Sequence, residues 1–360
     1  MEYYSAGVSW TAKGDSVNQY DVLWGRPTIE GGLMIGDFSR IQLHRTDREW
    51  ARNLDYISGM GLEITPYAAF SRSLLRSRKF DVGYRLENGI GISTRKYNRD
   101  TNVENEIIGS TVSVFVGMGF YASWNVSNHV QLSFGANLRH YSNGKLSQPN
   151  MGGNTANAEI RALYSFETDS TVRKTYSHHS SRYHKNHLYA DFSAMWCPQT
   201  LLSDWKYDYR RPPRERRNIF PLYDAWALSG ALMWSYSPKY ASGIGIDYTY
   251  MPYINELEAS ELRLDRNNHE QLSPHSIGVS LKHEAFYKNV SLNMSFGIYL
   301  HHNIGETARL NQKNYYENIG IRWYMPFTLR KAYVGYSINA CEIKANYFQF
   351  TLGYCPWKKF

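Results

Sequence analysis

The stretch Val112-Ser113-Val114-Phe115-Val116-Gly117-Met118-Gly119-Phe120-Tyr121-Ala122 decides the fold class. Its even positions are Val112, Val114, Val116, Met118, Phe120 and Ala122, and its odd positions include Ser113, Gly117 and Gly119. Successive side chains of a strand point to opposite faces, so this alternation describes a strand with one strongly apolar face. The next stretch repeats it, with Val130, Leu132, Phe134, Ala136 and Leu138 set against Gln131, Ser133, Gly135, Asn137 and Arg139. The same period runs through Trp226-Leu228-Leu232-Trp234-Tyr236, Ile244-Ile246-Tyr248-Tyr250, Val290-Leu292-Met294-Phe296-Ile298-Leu300 and Phe348-Phe350-Leu352-Tyr354.

Extending the pattern predicts fourteen strands, at about 33–45, 61–74, 80–97, 108–124, 128–142, 156–166, 187–198, 223–236, 240–252, 273–285, 288–301, 315–326, 329–339 and 343–354. Many exceed the length of an average soluble strand (roughly 5–6 residues) and match a tilted membrane-spanning one (about 9–11). Aromatic residues make up 15% of the 360-residue chain and gather near strand ends on the apolar face, where interfacial girdles sit. The expected fold is therefore all-β, an antiparallel transmembrane outer-membrane barrel of about 12–14 strands. A soluble β-sandwich is the competing architecture. The mean hydropathy of −0.53 does not argue against a membrane barrel, because alternation averages to a hydrophilic score. Short turns at 75–79, 125–127, 237–239, 286–287 and 327–328 alternate with longer polar links at 46–60, 98–107, 143–155, 199–222, 253–272 and 302–314. That is the arrangement of periplasmic turns and long outer loops. Residues 167–186 break it, being long on the short-turn side. The domain expectation is a single barrel over 1–360 with a periplasmic N-terminal segment at about 1–32.

Composition removes other classes. The aromatic and apolar content is too high for a disordered chain, and 12 Pro with 27 Gly is ordinary. The net charge of +8 could suggest nucleic acid, but no recognition helix or basic-aromatic sheet motif accompanies it. Cys197, Cys341 and Cys355 form no CxxC pair and no zinc spacing. His178, His179, His184 and His187 show no regular ligand spacing either, so neither metal nor cofactor is expected. Gly89-Ile90-Gly91 and Gly117-Met118-Gly119 lie inside alternating strands, which excludes phosphate loops. Met1-Glu2-Tyr3-Tyr4 carries no basic or apolar leader, so the chain is read as a mature form placed in the cell outer membrane. Arg210, Arg211, Arg214, Arg216 and Arg217 crowd the 199–222 link; they suit either bidentate phosphate binding or the solvation of a long loop.

One segment is unexplained by a barrel wall: Arg139-His140-Tyr141-Ser142-Asn143-Gly144-Lys145-Leu146-Ser147-Gln148-Pro149-Asn150-Met151-Gly152-Gly153-Asn154. By parity His140 and Ser142 share the face of Leu132, Phe134 and Leu138, which is the lipid-facing one. Polar groups on that face are costly and therefore rare. Residues two apart on a strand point the same way, which sets a hydroxyl beside an imidazole, as a nucleophile and its base require. A strand that has already left the membrane would carry the same two residues without chemistry.

This segment resembles the signature of the outer-membrane lipid A 3-O-deacylases, the PagL type or acyloxyacyl hydrolases, over about fifteen residues, 140–154. The resemblance implies Ser142 as nucleophile, His140 as general base, Asn150 as part of an oxyanion hole and Asn143 as a supporting neighbour. The family's glycine two residues after Asn143 is Lys145 here, with Gly144 one position earlier as the backbone candidate for the hole. The family's glutamate is Asn154, which orients an imidazole without neutralising its cation. Glu159 is the nearest carboxylate, but Ala158, Ile160, Ala162, Tyr164 and Phe166 form the lipid face of its strand, so parity turns Glu159 inward and favours Asn154. Family members are smaller eight-stranded barrels. The expected function is hydrolysis of an ester-linked acyl chain of lipid A in the outer leaflet, with Arg210, Arg211 and Arg214 as candidate phosphate ligands. A homodimer is allowed. The alternative is a porin-like or structural barrel that keeps His140 and Ser142 without their chemistry.

Overall fold

The computed structural model describes residues 1–12, 18–166, 185–267, 270–311, 313–342 and 344–358. The strands of the described residues pair antiparallel, and the chain divides into two compact units, Met1–Asn143 with Asn150–Arg182, and Gly144–Pro149 with Tyr183–Phe360. Among the described residues no helix is long and apolar enough to cross a membrane, a statement that does not bear on crossing by strands.

The first unit is a seven-stranded sheet of order β1-β2-β5-β6-β7-β8-β9, with a two-residue pair β3–β4 beside it. Its strands are β1 Glu2–Thr11, β2 Thr28–Asp37, β5 Leu62–Arg76, β6 Phe80–Ser93, β7 Val112–Asn125, β8 Val130–Ser142 and β9 Gly153–Tyr164; β3 is Gln42–Leu43 and β4 Ser58–Gly59. The second unit is a closed barrel of eight strands. These are β10 His187–Trp196, β11 Trp226–Ser237, β12 Tyr240–Tyr250, β13 His275–Tyr287, β14 Val290–His302, β15 Tyr315–Tyr324, β16 Ala332–Cys341 and β17 Lys344–Tyr354. Pairing of β10 with β17, from Phe192↔Tyr354 to Trp196↔Phe350, closes the ring. A short helix α1, Gln19–Leu23, precedes β2 in the first unit, and the long links of the barrel carry α2 Leu202–Tyr209, α3 Ile254–Leu264 and α4 Glu306–Asn311. Asp204 of α2 ties two of them together, accepting from Ser260 at 2.7 Å and Arg263 at 2.7 Å.

Thirteen of the expected strands are present within a few residues, but they belong to two sheets rather than one run of fourteen. The anomalous link 167–186 is the connection between β9 and β10, and residues 167–184 lie outside the described part. The strand expected at 33–45 is displaced. β2 stops at Asp37, whose carboxylate accepts from the Ser39 amide at 2.9 Å and turns the chain out of the sheet. The N-terminal segment expected to precede the barrel supplies β1, whose outward residues Tyr4, Val8 and Trp10 alternate with Tyr3, Ser5 and Ser9. β16 begins at Ala332 rather than 329 because Leu329 and Arg330 take the left-handed conformation of a turn.

The two faces differ as the period requires. Outward side chains are apolar: Met118, Phe120, Phe134, Leu138 and Ile160 in the first unit, and Leu228, Leu232, Ile244, Ile246, Leu281 and Leu352 in the second. On the inward face of the first unit three arginines and three glutamates form one network. Arg85 bridges Glu30 at 2.9 Å and Glu87 at 2.8 Å, and Arg139 bridges Glu87 at 3.0 Å and Glu159 at 3.6 Å. Arg161 completes the ring between Glu30 and Glu159, and Tyr67 donates to Glu30 at 2.6 Å. The second unit repeats the device with Asp191–Arg322 at 2.8 Å and Asp247–Lys282 at 2.8 Å.

A buried charge that loses its partner costs about 3–5 kcal/mol, more than the pair contributes over an apolar replacement. Glu87→Ala, which takes from Arg85 and from Arg139 one of the two carboxylates each meets, should therefore destabilise the first unit by up to about that amount. The urea midpoint of the refolded protein in detergent checks this, and the exposed apolar Phe134→Leu serves as the near-neutral control.

Candidate active site

The site is made by three neighbouring strands in one register. His140 of β8 lies opposite Val116 of β7 and Asn154 of β9, and Ser142 lies opposite Val114. Directly opposite residues of antiparallel strands share a face, so His140, Ser142 and Asn154 all belong to the outward set. Two residues of strand rise separate His140 from Ser142, roughly 6.6 Å, a span that an imidazole and a short hydroxyl can close. The wall around them is apolar, with Leu138, Met118 and Val116 exposed. Ser142 itself is buried.

His140 Nδ1 lies 2.7 Å from Asn154 Oδ1. An amide oxygen can only accept, so this contact places the ring proton on Nδ1 and leaves Nε2 as the basic nitrogen. Asn150 occupies the other side of the hydroxyl. Its Nδ2 donates to Ser142 Oγ at 2.9 Å, and its Oδ1 accepts from the Asn143 backbone amide at 3.1 Å. The Asn143 side chain donates from Nδ2 to Ser110 Oγ at 2.9 Å.

Glu159 is not part of this group. It accepts from Asn137 and lies 3.5 Å from Arg161, inside the inward charge ring. A carboxylate between two guanidinium groups on the opposite face of the sheet cannot also orient His140. Of the two expected partners, Asn154 meets the imidazole and Glu159 does not.

Gly144 and Lys145 belong to the second compact unit, and both are left-handed, with φ of 59° and 64°. A side chain at that φ costs roughly 1–2 kcal/mol, the physical reason a glycine suits the position Lys145 fills. The Lys145 carbonyl accepts from the Thr200 amide at 2.9 Å and the Thr200 hydroxyl at 2.8 Å, and burial pushes the Lys145 ammonium down to about 8. The arginines of the 199–222 link lie in the same unit. Arg210 donates to the Leu264 carbonyl at 3.0 Å and Arg211 pairs with Glu215 at 3.2 Å, while Arg214 is exposed. Arg216 is fully buried and caps the carbonyls of Tyr209 and Arg211, a structural use of a residue counted among the basic cluster. His178, His179 and His184 lie outside the described residues, and His187 opens β10.

Gly152 is the residue that motif reading passed over. Its φ is 74°, and a Cβ there would stand 2.9 Å from His140 Cε1. Glycine at 152 thus leaves the space in which the imidazole lies. Gly153 next to it has no such neighbour, its nearest atom being Ile107 Cγ2 at 3.7 Å. Gly152→Ala should cost about 1–2 kcal/mol from backbone alone, whereas Gly153→Ala should stay within about 0.5 kcal/mol. Denaturation midpoints of the two variants make the comparison.

Residues 5–162 match the family model described as lipid A 3-O-deacylase (PagL), and residues 201–359 match the model described as acyloxyacyl hydrolase, C-terminal domain. No curated protein matches the chain in sequence. Among solved structures it is similar to the FrpB iron transporter from Neisseria meningitidis (F3-3 variant), at 8% identity and a TM-score of 0.20, covering 98% of this chain and 63% of that one. The chain thus spans less than two thirds of that relative's length. It is also similar to the Pseudomonas putida toluene transporter TodX, at 7% identity and a TM-score of 0.19, covering 98% and 80%. A mutant of Rh. blastica porin gives 8% identity and a TM-score of 0.18, covering 98% of each chain.

Proposed function

The chain belongs to the lipid A 3-O-deacylase family, and from that premise we propose that it hydrolyses an ester-linked acyl chain of lipid A through Ser142, His140 and Asn154. The observation that carries the reading is the register of β8 and β9. It pairs His140 with Asn154 on the apolar outward face, His140 Nδ1 lying 2.7 Å from Asn154 Oδ1, and Ser142 follows two residues further along β8. A substrate whose scissile ester is embedded among acyl chains meets that face without leaving the bilayer.

In this mechanism His140 Nε2 takes the Ser142 proton as Oγ attacks the ester carbonyl carbon. The carbonyl oxygen becomes an oxyanion beside Asn150 Nδ2, which already donates to Oγ and is within reach of the new charge. His140 then returns the proton to the leaving sugar oxygen, and the acyl chain stays on Ser142. Water, activated by the same nitrogen, releases the fatty acid and restores the hydroxyl. Asn154 holds the ring in the productive tautomer but supplies no negative charge to the imidazolium. The rate should therefore lie below what a carboxylate at this position would support.

Expression in a host of known lipid A should yield a species lacking one hydroxyacyl chain by mass spectrometry, and Ser142→Ala should abolish it. Intact lipid A in the presence of folded wild-type protein would instead favour the porin-like or structural reading. Asn154→Ala should slow deacylation by about 10²-fold or more, the scale of a lost acid–base arrangement, and Glu159→Gln should leave the chemistry in place. Asn154→Glu should raise the rate above wild type. A fall with Asn154→Glu would mean that the amide oxygen is not orienting His140.

A further inference from the structure

The link between β6 and β7, residues 94–111, touches the site from both ends. Its Glu106 and Ile107 carbonyls accept from the amides of Met151 at 3.0 Å and Gly152 at 3.2 Å. Its Ser110 hydroxyl accepts from Asn143 Nδ2 at 2.9 Å and donates to the Val112 carbonyl at 2.7 Å. Commitment of the hydroxyl proton to Val112 leaves Ser110 Oγ as an acceptor, and so fixes which end of the Asn143 amide faces it. The link is itself well held. Asn105, fully buried, donates to the Arg95 carbonyl at 3.0 Å and accepts from the Ile108 amide at 3.2 Å. Asn102 donates to the Lys96 carbonyl at 2.8 Å and accepts from the Gly59 amide at 2.8 Å. Arg45 adds an ion pair to Glu106 at 3.1 Å.

From these contacts we propose that Ser110 is a positioning residue, acting through Asn143, and that the 94–111 link sets the placement of Asn150 beside the Ser142 hydroxyl. This rests on the deacylase reading of the site. Asn150 receives its position from both directions. Its Oδ1 is held by the amide of Asn143, whose side chain Ser110 fixes, and its chain continues into Met151 and Gly152, whose amides the link holds. A site that must stabilise an oxyanion needs its donor within a few tenths of an ångström of the productive position, and such placement depends on the groups behind it. Ser110 touches neither Ser142 nor His140 in any of these contacts. Its effect is therefore on the donor's placement and not on proton transfer.

The test uses the full-length protein in lipid A-containing detergent micelles. Ser110→Ala should lower kcat by about 10-fold with KM unchanged, and Ser110→Thr, which keeps the hydroxyl, should recover most of that loss. The double variant Ser110→Ala with Asn143→Ala should be no slower than Asn143→Ala alone, since both remove the same link. Additive losses, or a change confined to KM, would overturn the assignment. Hydrogen exchange gives an activity-independent reading: amides of Asn143, Met151 and Gly152 should exchange about 10-fold faster in Ser110→Ala and at the wild-type rate in Ser110→Thr. An inactive wild type with this exchange pattern rejects the deacylase reading and keeps the brace. Unchanged exchange in Ser110→Ala rejects the brace whatever the activity.

Discussion

The first unit depends on a ring of opposite charges on its inward face. Glu30, Arg85, Glu87, Arg139, Glu159 and Arg161 come from β2, β6, β8 and β9, and each is satisfied only while those four strands keep their register. Three positive and three negative groups leave the ring neutral, which is what allows it to be buried at all. An apolar filling of the same space would exclude water equally well, but it would tolerate a strand sliding by two residues. Ion pairs with directional hydrogen bonds do not.

The same register places the chemistry. A strand has period two, so a slip of one residue exchanges its faces. In β8 that slip would carry His140 and Ser142 inward among the arginines and turn Arg139 outward into the apolar wall. Stability and site geometry are therefore two readings of one alignment. Arg139 at an odd position and His140 at an even one are bound to opposite environments by the backbone itself. Glu159 illustrates the constraint from the other direction. It is near His140 in sequence and chemically the better partner for an imidazolium, yet the ring that secures β9 consumes it.

Most of the sheet structure was legible because lipid on one side and polar side chains on the other enforce alternation over ten or more residues. Parity alone separated Asn154 from Glu159, and the pairing His140↔Asn154 is what parity implies when β8 and β9 are hydrogen-bonded neighbours. The division into two sheets was not legible. Strand alternation is the same whether a strand joins one ring or another, and closure depends on which ends pair, as Trp196 does with Phe350. β1 carries the signal in Tyr4, Val8 and Trp10, although residues 1–32 are expected as a periplasmic segment ahead of the barrel. Ser110 and Gly152 carried no signal, for a serine in a polar link and one of two adjacent glycines have no pattern of their own. Their positions matter only once the strands bring them to Asn143 and His140.

The seven-stranded sheet has an odd count, with β1 at one edge and β9 at the other. Each neighbouring pair is antiparallel, so after six reversals β1 and β9 run in the same direction. Tyr3 of β1 and Thr155 of β9 already share a hydrogen bond at 2.9 Å, and Arg139 lies 4.8 Å over the Tyr3 ring. Hydrocarbon offers nothing to an unpaired strand edge. Any seam that joins these two edges has the slanted, evenly spaced ladder of parallel strands. Parallel pairing is slightly weaker per residue than the antiparallel pairing of the rest of this sheet, and the seam adjoins β9, the strand that carries Asn154.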